Sequence, residues 1–76
     1  MNHEEFFTSI EEDPLLMYLY NNRSTPSKEI LLDYSELMAK FPADRNIINL
    51  SVDVLVECGV AIKEQQHKCG FYLFEQ

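Results

Sequence analysis

The sequence predicts a small α+β domain, mainly helical, in which three helices precede a C-terminal β-hairpin. Two observations predict the helices: an aspartate stands at the N-cap position of two segments, at Asp13 and Asp44, and apolar residues recur at helical spacing after each one. A third observation predicts the hairpin, because apolar and polar residues alternate on both sides of a polar tip near the C terminus. With 76 residues, of which 46% are apolar and 25% charged, the chain has the size and composition of one globular domain.

The first helix is expected to run from Leu15 to about Asn22. Asp13 caps it, and Pro14 takes the first helical position, where the missing N–H of proline costs nothing. A polar loop follows, and the apolar run at residues 29–32 predicts one brief strand.

The second helix is expected to run from Tyr34 to Phe41. Asp33 and Glu36 have the spacing of a capping box, and Pro42 disfavours helix at the residue before it. On this helix the apolar residues that should face inward are Leu37, Met38 and Phe41.

The third helix is expected to run from Arg45 to Cys58, after the cap at Asp44 and before a terminating glycine at Gly59. Its inward residues, at helical spacing, are Ile48, Val52 and Leu55.

The hairpin follows directly. Val60 and Ile62 share one face of its first strand, and Phe71 and Leu73 share one face of its second. Residues 65–68 form the polar tip, and Gly70 allows the chain to return.

The stretch from Ser35 to Val60 resembles the helix-turn-helix of winged-helix regulators: Ser-Glu-Leu-Met-Ala-Lys-Phe, then isoleucine, valine and leucine at helical spacing, then Gly-Val. The resemblance covers residues 30–74 and implies a winged helix-turn-helix fold with the hairpin as the wing. In DNA-binding members the third helix enters the major groove. The resemblance therefore implies base contacts from Arg45, Asn46 and Asn49, whose side chains read guanine and adenine, and phosphate contacts from Lys40, Lys63 and Lys68.

The net charge weighs against nucleic acid as the default partner, and its distribution weakens that objection because the acidic residues are concentrated near the N terminus. The net charge is −7; residues 1–13 hold five acids and no Lys or Arg, whereas residues 14–76 have a net charge of −2. We therefore divide the chain into an acidic arm or short helix at residues 1–12 and a winged-helix domain at residues 13–76.

An apolar signal competes with the DNA hypothesis. Ile47, Leu50 and Val54 lie outside the core stripe of the third helix. The arm carries apolar residues at helical spacing, Phe6, Phe7 and Ile10. Grouped exposed apolar residues mark a protein contact, either with another protein or in a homodimer. The alternative is that the arm or the hairpin covers them within the domain.

No catalytic constellation, cofactor motif or metal site is expected. The two cysteines, Cys58 and Cys69, are expected to be free and mostly buried thiols, with a disulfide between them as the alternative. His67 with Cys69 is too small a ligand set for zinc. The start of the chain lacks the positive segment of a signal peptide and no apolar run is long enough for a membrane span, so a cytoplasmic location is expected.

Two functions follow as near-equal hypotheses. The first is a non-catalytic transcriptional regulator that binds double-stranded DNA through the third helix and the wing. The second is an acidic winged-helix inhibitor or adaptor, such as a mobile-element antirepressor or anti-defence protein, that docks on another protein. The net charge of −7 and the apolar flank of the third helix favour the second. The asparagines of the third helix and the lysine and arginine residues of the chain favour the DNA-binding hypothesis.

Overall fold

A computed structural model describes residues 12–66 and 68–76. This part of the chain forms an α+β fold with three helices and one three-stranded antiparallel sheet, which confirms the predicted class and the C-terminal hairpin. The elements, in chain order, are α1 (Pro14–Asn21), β1 (Leu32–Asp33), α2 (Tyr34–Lys40), α3 (Arg45–Glu57), β2 (Ala61–Gln66) and β3 (Gly70–Glu75). The arm residues Phe6 and Phe7, together with His67, lie outside the described residues.

The helices begin at the predicted aspartate caps. The carboxylate of Asp13 accepts the N–H groups of Leu15 and Leu16 at 3.0 and 3.2 Å. The carboxylate of Asp44 accepts the N–H of Ile47 at 2.9 Å. Each cap satisfies backbone donors that have no partner inside the helix, so the starts of α1 and α3 are determined locally.

The end of α3 is also determined locally, by a glycine in the left-handed region. Gly59 has φ +78°. Its N–H bonds the carbonyl of Val56, and the N–H of Val60 bonds the carbonyl of Leu55. This is the Schellman arrangement, which turns the chain out of α3 and directly into β2.

The sheet has the order β1–β3–β2, with β3 in the centre. In the hairpin Ile62 lies opposite Phe74, and on the other side Leu32 pairs with Phe71. Gly70 is required where β3 passes β1, because a Cβ there would collide with the carbonyl oxygen of Leu32.

The core lies between the three helices and one face of the sheet. Every helix and every strand contributes to it. Its buried apolar residues are Leu15, Leu19, Leu32, Tyr34, Leu37, Ile48, Val52, Leu55, Val60, Ala61, Phe71 and Leu73.

Two predicted placements were wrong: Met38 does not face inward, and Ile62 does not share the buried face of Val60. Met38 is 42% exposed. The short helix α2 buries one stripe through Leu37 and the half-buried Phe41, and Met38 lies about 100° around from Leu37. Ile62 is 40% exposed and Ala61 is buried instead, because the turn at Gly59 brings both Val60 and Ala61 to the core before the alternation of β2 begins.

Two further expectations need correction. The strand predicted at residues 29–32 is two residues long, Leu32–Asp33, since Asp33 ends it and also accepts the Glu36 N–H as the cap of α2. Cys58 and Cys69 are not joined by a disulfide, but the expected burial is wrong: Cys58 is half-buried, and Cys69 is exposed because it lies in the turn of the hairpin.

Candidate binding surface on the third helix

The outward side of α3 carries a group of exposed apolar residues. Ile48, Val52 and Leu55 turn inward and are fully buried. Of the residues between them, Ser51 is buried, whereas Leu50, Asp53 and Val54 are exposed. We call the exposed apolar group Ile47, Leu50 and Val54 the α3 surface. Leu50 is 63% exposed, the highest value for any large apolar residue that the structure describes.

An apolar groove extends the α3 surface towards the start of α1. It has a volume of about 220 Å³. Its walls come from the first turn of α1, the turn between α2 and α3, and the first half of α3, and its lining residues are Asp13, Pro14, Leu15, Phe41, Pro42, Ala43, Ile47 and Ser51. Ile47 belongs to both features, so the groove and the α3 surface form one continuous apolar region.

The beginning of α3 is organised by Tyr34, the first residue of α2. The Tyr34 hydroxyl donates to the amide oxygen of Asn49 at 2.7 Å. The guanidinium carbon of Arg45 lies 4.1 Å from the centre of the Tyr34 ring, and this guanidinium also donates to the backbone carbonyl of Lys68 at 3.1 Å. Two of the three predicted base-contacting side chains, Arg45 and Asn49, therefore already have partners inside the domain.

The same contacts bring part of the predicted DNA-binding set together. Because Arg45 bonds Lys68, the hairpin turn lies beside the first residue of α3, and Asn46 is exposed at the same end of the helix. Lys40 and Lys63 lie on other elements, with their ammonium groups 5.3 Å from the Tyr18 ring centre and 5.6 Å from the Phe71 ring centre.

Arg23 connects the end of α1 to the hairpin region. Its guanidinium stacks 3.8 Å from the centre of the Tyr20 ring and donates to the backbone carbonyls of Tyr20 and Val60. It also lies 3.8 Å from a carboxylate oxygen of Glu75. Arg23 thereby joins the end of α1 to the residue before β2 and to the end of β3.

Comparison with known proteins adds no family to this geometry. The chain matches no protein-family model, no curated protein and no solved structure. Within residues 12–66 and 68–76 no helix is long and apolar enough to cross a membrane. The same residues bring no three His, Cys, Asp or Glu side chains into one metal-binding group.

The sequence pattern does not identify Tyr34 as the residue that contacts Arg45 and Asn49 at the start of α3. Tyr34 and Asn49 are 15 positions apart and belong to different helices. Their contact depends on how α2 crosses α3, which no local pattern encodes.

Proposed function

We propose that this chain is a small, non-catalytic winged helix-turn-helix module that acts by binding a partner protein through its α3 surface. One observation carries the proposal: Leu50 is 63% exposed between two further exposed apolar residues on a helix whose opposite stripe is fully buried. A dimer formed by two copies of this chain is one form that such a contact can take.

The winged-helix part of the proposal is supported by the order of the elements. A helix, a brief strand, two helices joined by a short turn and a β-hairpin follow one another, with β3 between β1 and β2. In this comparison α3 of the present chain would be the recognition helix of a winged-helix protein, and the β2–β3 hairpin would be its wing.

The preference for a protein partner is supported by the chemistry of the outward side of α3. A leucine side chain gains about 1.5–3 kcal/mol when it moves from water into an apolar contact. The α3 surface is bordered by exposed polar residues that have the character of an interface rim: Asn46, Asp53 and Glu57. Two of them, Asp53 and Glu57, are negatively charged. A DNA backbone would be repelled by Asp53 and Glu57, whereas a protein with a basic or neutral rim would not.

The proposal is tested with Leu50→Glu, which places a charge at the centre of the α3 surface and leaves the core untouched. Tagged wild-type and variant full-length chains are compared by quantitative pull-down from the native host. Sedimentation velocity on the purified chains reports whether the partner is a second copy. We expect wild type to enrich a specific protein, or to sediment as a dimer, and Leu50→Glu to lose that complex.

Leu31→Glu is the matched control, because Leu31 is also an exposed large apolar residue but lies in the loop before β1. It should retain the complex. If the complex survives Leu50→Glu, or if Leu31→Glu removes it equally, the α3 surface is not the binding site for the partner.

DNA binding is a second candidate function, and one observation favours it. The bond from Arg45 to the Lys68 carbonyl brings the predicted wing next to the start of α3, where Asn46 is exposed. In winged-helix DNA complexes both elements approach the duplex from this side.

Fluorescence anisotropy with a random duplex of about 25 base pairs, at about 50 mM and about 200 mM salt, tests the second candidate. DNA binding predicts an affinity that falls steeply with salt and is lost in the double variant Arg45→Glu with Lys68→Glu. Absence of binding at the lower salt, or an affinity that the double variant leaves unchanged, would exclude this candidate.

A further inference from the structure

A second concave surface lies on the outward face of the hairpin. Phe71 and Leu73 of β3 are buried, so the alternating residues Tyr72 and Phe74 face away from the core. Together with Glu29 and Glu64 they line a notch of about 210 Å³. We call this feature the sheet notch. Glu29 comes from the loop before β1 and Glu64 from β2, so two separate segments contribute its carboxylates.

The sheet notch combines aromatic and anionic groups. The ring centres of Tyr72 and Phe74 are 6.4 Å apart, and the two ring planes are inclined at 39°. Among the described residues, Arg23 and Glu75 form the one ion pair, so neither Glu29 nor Glu64 is paired with a basic side chain of this part of the chain within 4.0 Å. Both glutamates are exposed and available to a charged ligand.

We propose that the sheet notch binds an arginine side chain presented by a basic segment of a partner protein. A guanidinium is planar and weakly hydrated, so it stacks on aromatic rings while its N–H groups donate to carboxylates. The net charge of −7 draws basic segments towards the chain. A metal ion would meet two aromatic rings in place of further oxygen ligands, and a phosphate would be repelled by both glutamates.

This inference does not rest on the α3 surface, since no residue of the sheet notch belongs to α3. The two proposals fail separately: Leu50→Glu should leave arginine binding at the sheet notch unchanged.

The probe is a blocked peptide in which arginine alternates with glycine, titrated into the ¹⁵N-labelled full-length chain and followed by amide chemical shifts. We expect saturable shifts centred on Glu64, Tyr72 and Phe74. The same peptide with citrulline, which keeps the shape of arginine without its charge, should bind at least about fivefold more weakly. A lysine version should bind about two- to fivefold more weakly, because its ammonium stacks less well on rings. Equal binding of the citrulline peptide would overturn the proposal.

The decisive variants change charge equally in two places. Glu29→Gln with Glu64→Gln should raise the Kd for the arginine peptide by about three- to tenfold, because each substitution removes one exposed ion pair with the peptide. Asp53→Asn with Glu57→Gln makes the same change of charge on α3 and should alter the Kd by less than about twofold. Equal effects of the two pairs would show attraction to net charge and no site, which would contradict the proposal.

The aromatic part is tested with Tyr72→Leu, which keeps an apolar residue on β3. We expect about a threefold increase in Kd from the loss of the ring, while the amide spectrum outside the hairpin stays that of the folded wild type. An unchanged Kd would remove Tyr72 from the site.

Discussion

The hydroxyl of Tyr34 donates a hydrogen bond to the amide oxygen of Asn49, and the two oxygen atoms are 2.7 Å apart. This bond joins the first residue of α2 to the first half of α3. The guanidinium of Arg45 also stacks on the Tyr34 ring, so one buried tyrosine orients two side chains of α3.

We predict a measurable coupling between Tyr34 and Asn49. Tyr34→Phe keeps the ring and its contact with Arg45 but leaves the half-buried Asn49 amide without this donor. The variant should lose about 0.5–1.5 kcal/mol of unfolding free energy in urea. In a double-mutant cycle with Asn49→Ala, the second change should cost less once the first is present. Purely additive losses would show that the bond contributes nothing to stability.

The same amino-acid change should have opposite consequences at two leucines of α3. Leu55 is fully buried, so Leu55→Glu places a charge in a thin core and should unfold the domain at room temperature. Leu50→Glu is solvated and should leave the melting temperature within about 3 °C of wild type. Far-ultraviolet circular dichroism during heating measures both variants. A folded Leu55→Glu variant would contradict the description of the core.

The two glycines that shape the hairpin should respond differently to asparagine. Gly59→Ala is expected to cost about 1–2 kcal/mol because φ is +78°, and Gly59→Asn should recover part of that loss, since asparagine tolerates the left-handed region. At Gly70 the obstacle is the Leu32 carbonyl, so Gly70→Ala should cost about 1–3 kcal/mol and Gly70→Asn at least as much. Chemical denaturation measures all four. Recovery by asparagine at Gly70 would contradict the steric argument.

Removal of the cap of α3 should destabilise the domain more than removal of another aspartate on the same helix. Asp44→Ala deprives the Ile47 N–H of its acceptor and should cost about 1 kcal/mol. Asp53→Ala, on the exposed side of α3, should change the unfolding free energy by less than about 0.5 kcal/mol. Equal losses from the two changes would indicate a general charge effect in place of a cap.

The helix starts were predictable from sequence because an aspartate cap acts over two or three residues. The carboxylates of Asp13 and Asp44 accept hydrogen bonds from N–H groups two or three residues further along the chain. Both partners of each bond therefore lie within one short stretch of sequence. The alternation of Phe71 and Leu73 in β3 was equally readable. The outward direction of Ile62 could not be predicted from the sequence, because it depends on where the Schellman turn places Ala61 relative to the core.

The candidate site was predictable in part. Helical spacing alone separated Leu50 from the buried stripe, since successive residues differ in direction by about 100°. The engagement of Arg45 with Tyr34 and Lys68, and the convergence of Glu29 with Tyr72, join segments that are distant in the chain. No spacing rule reaches across such separations.

The sequence by itself determined the class of fold, the helix starts and ends, and which side of α3 is apolar, because caps, turns and periodicity are short-range interactions between neighbouring residues. Only the tertiary structure decided that Arg45 and Asn49 are held by Tyr34, that Ile62 faces outward, and that Glu29 meets Tyr72 in one notch. Those outcomes depend on the packing of separate elements against one core, which depends on all of its residues together.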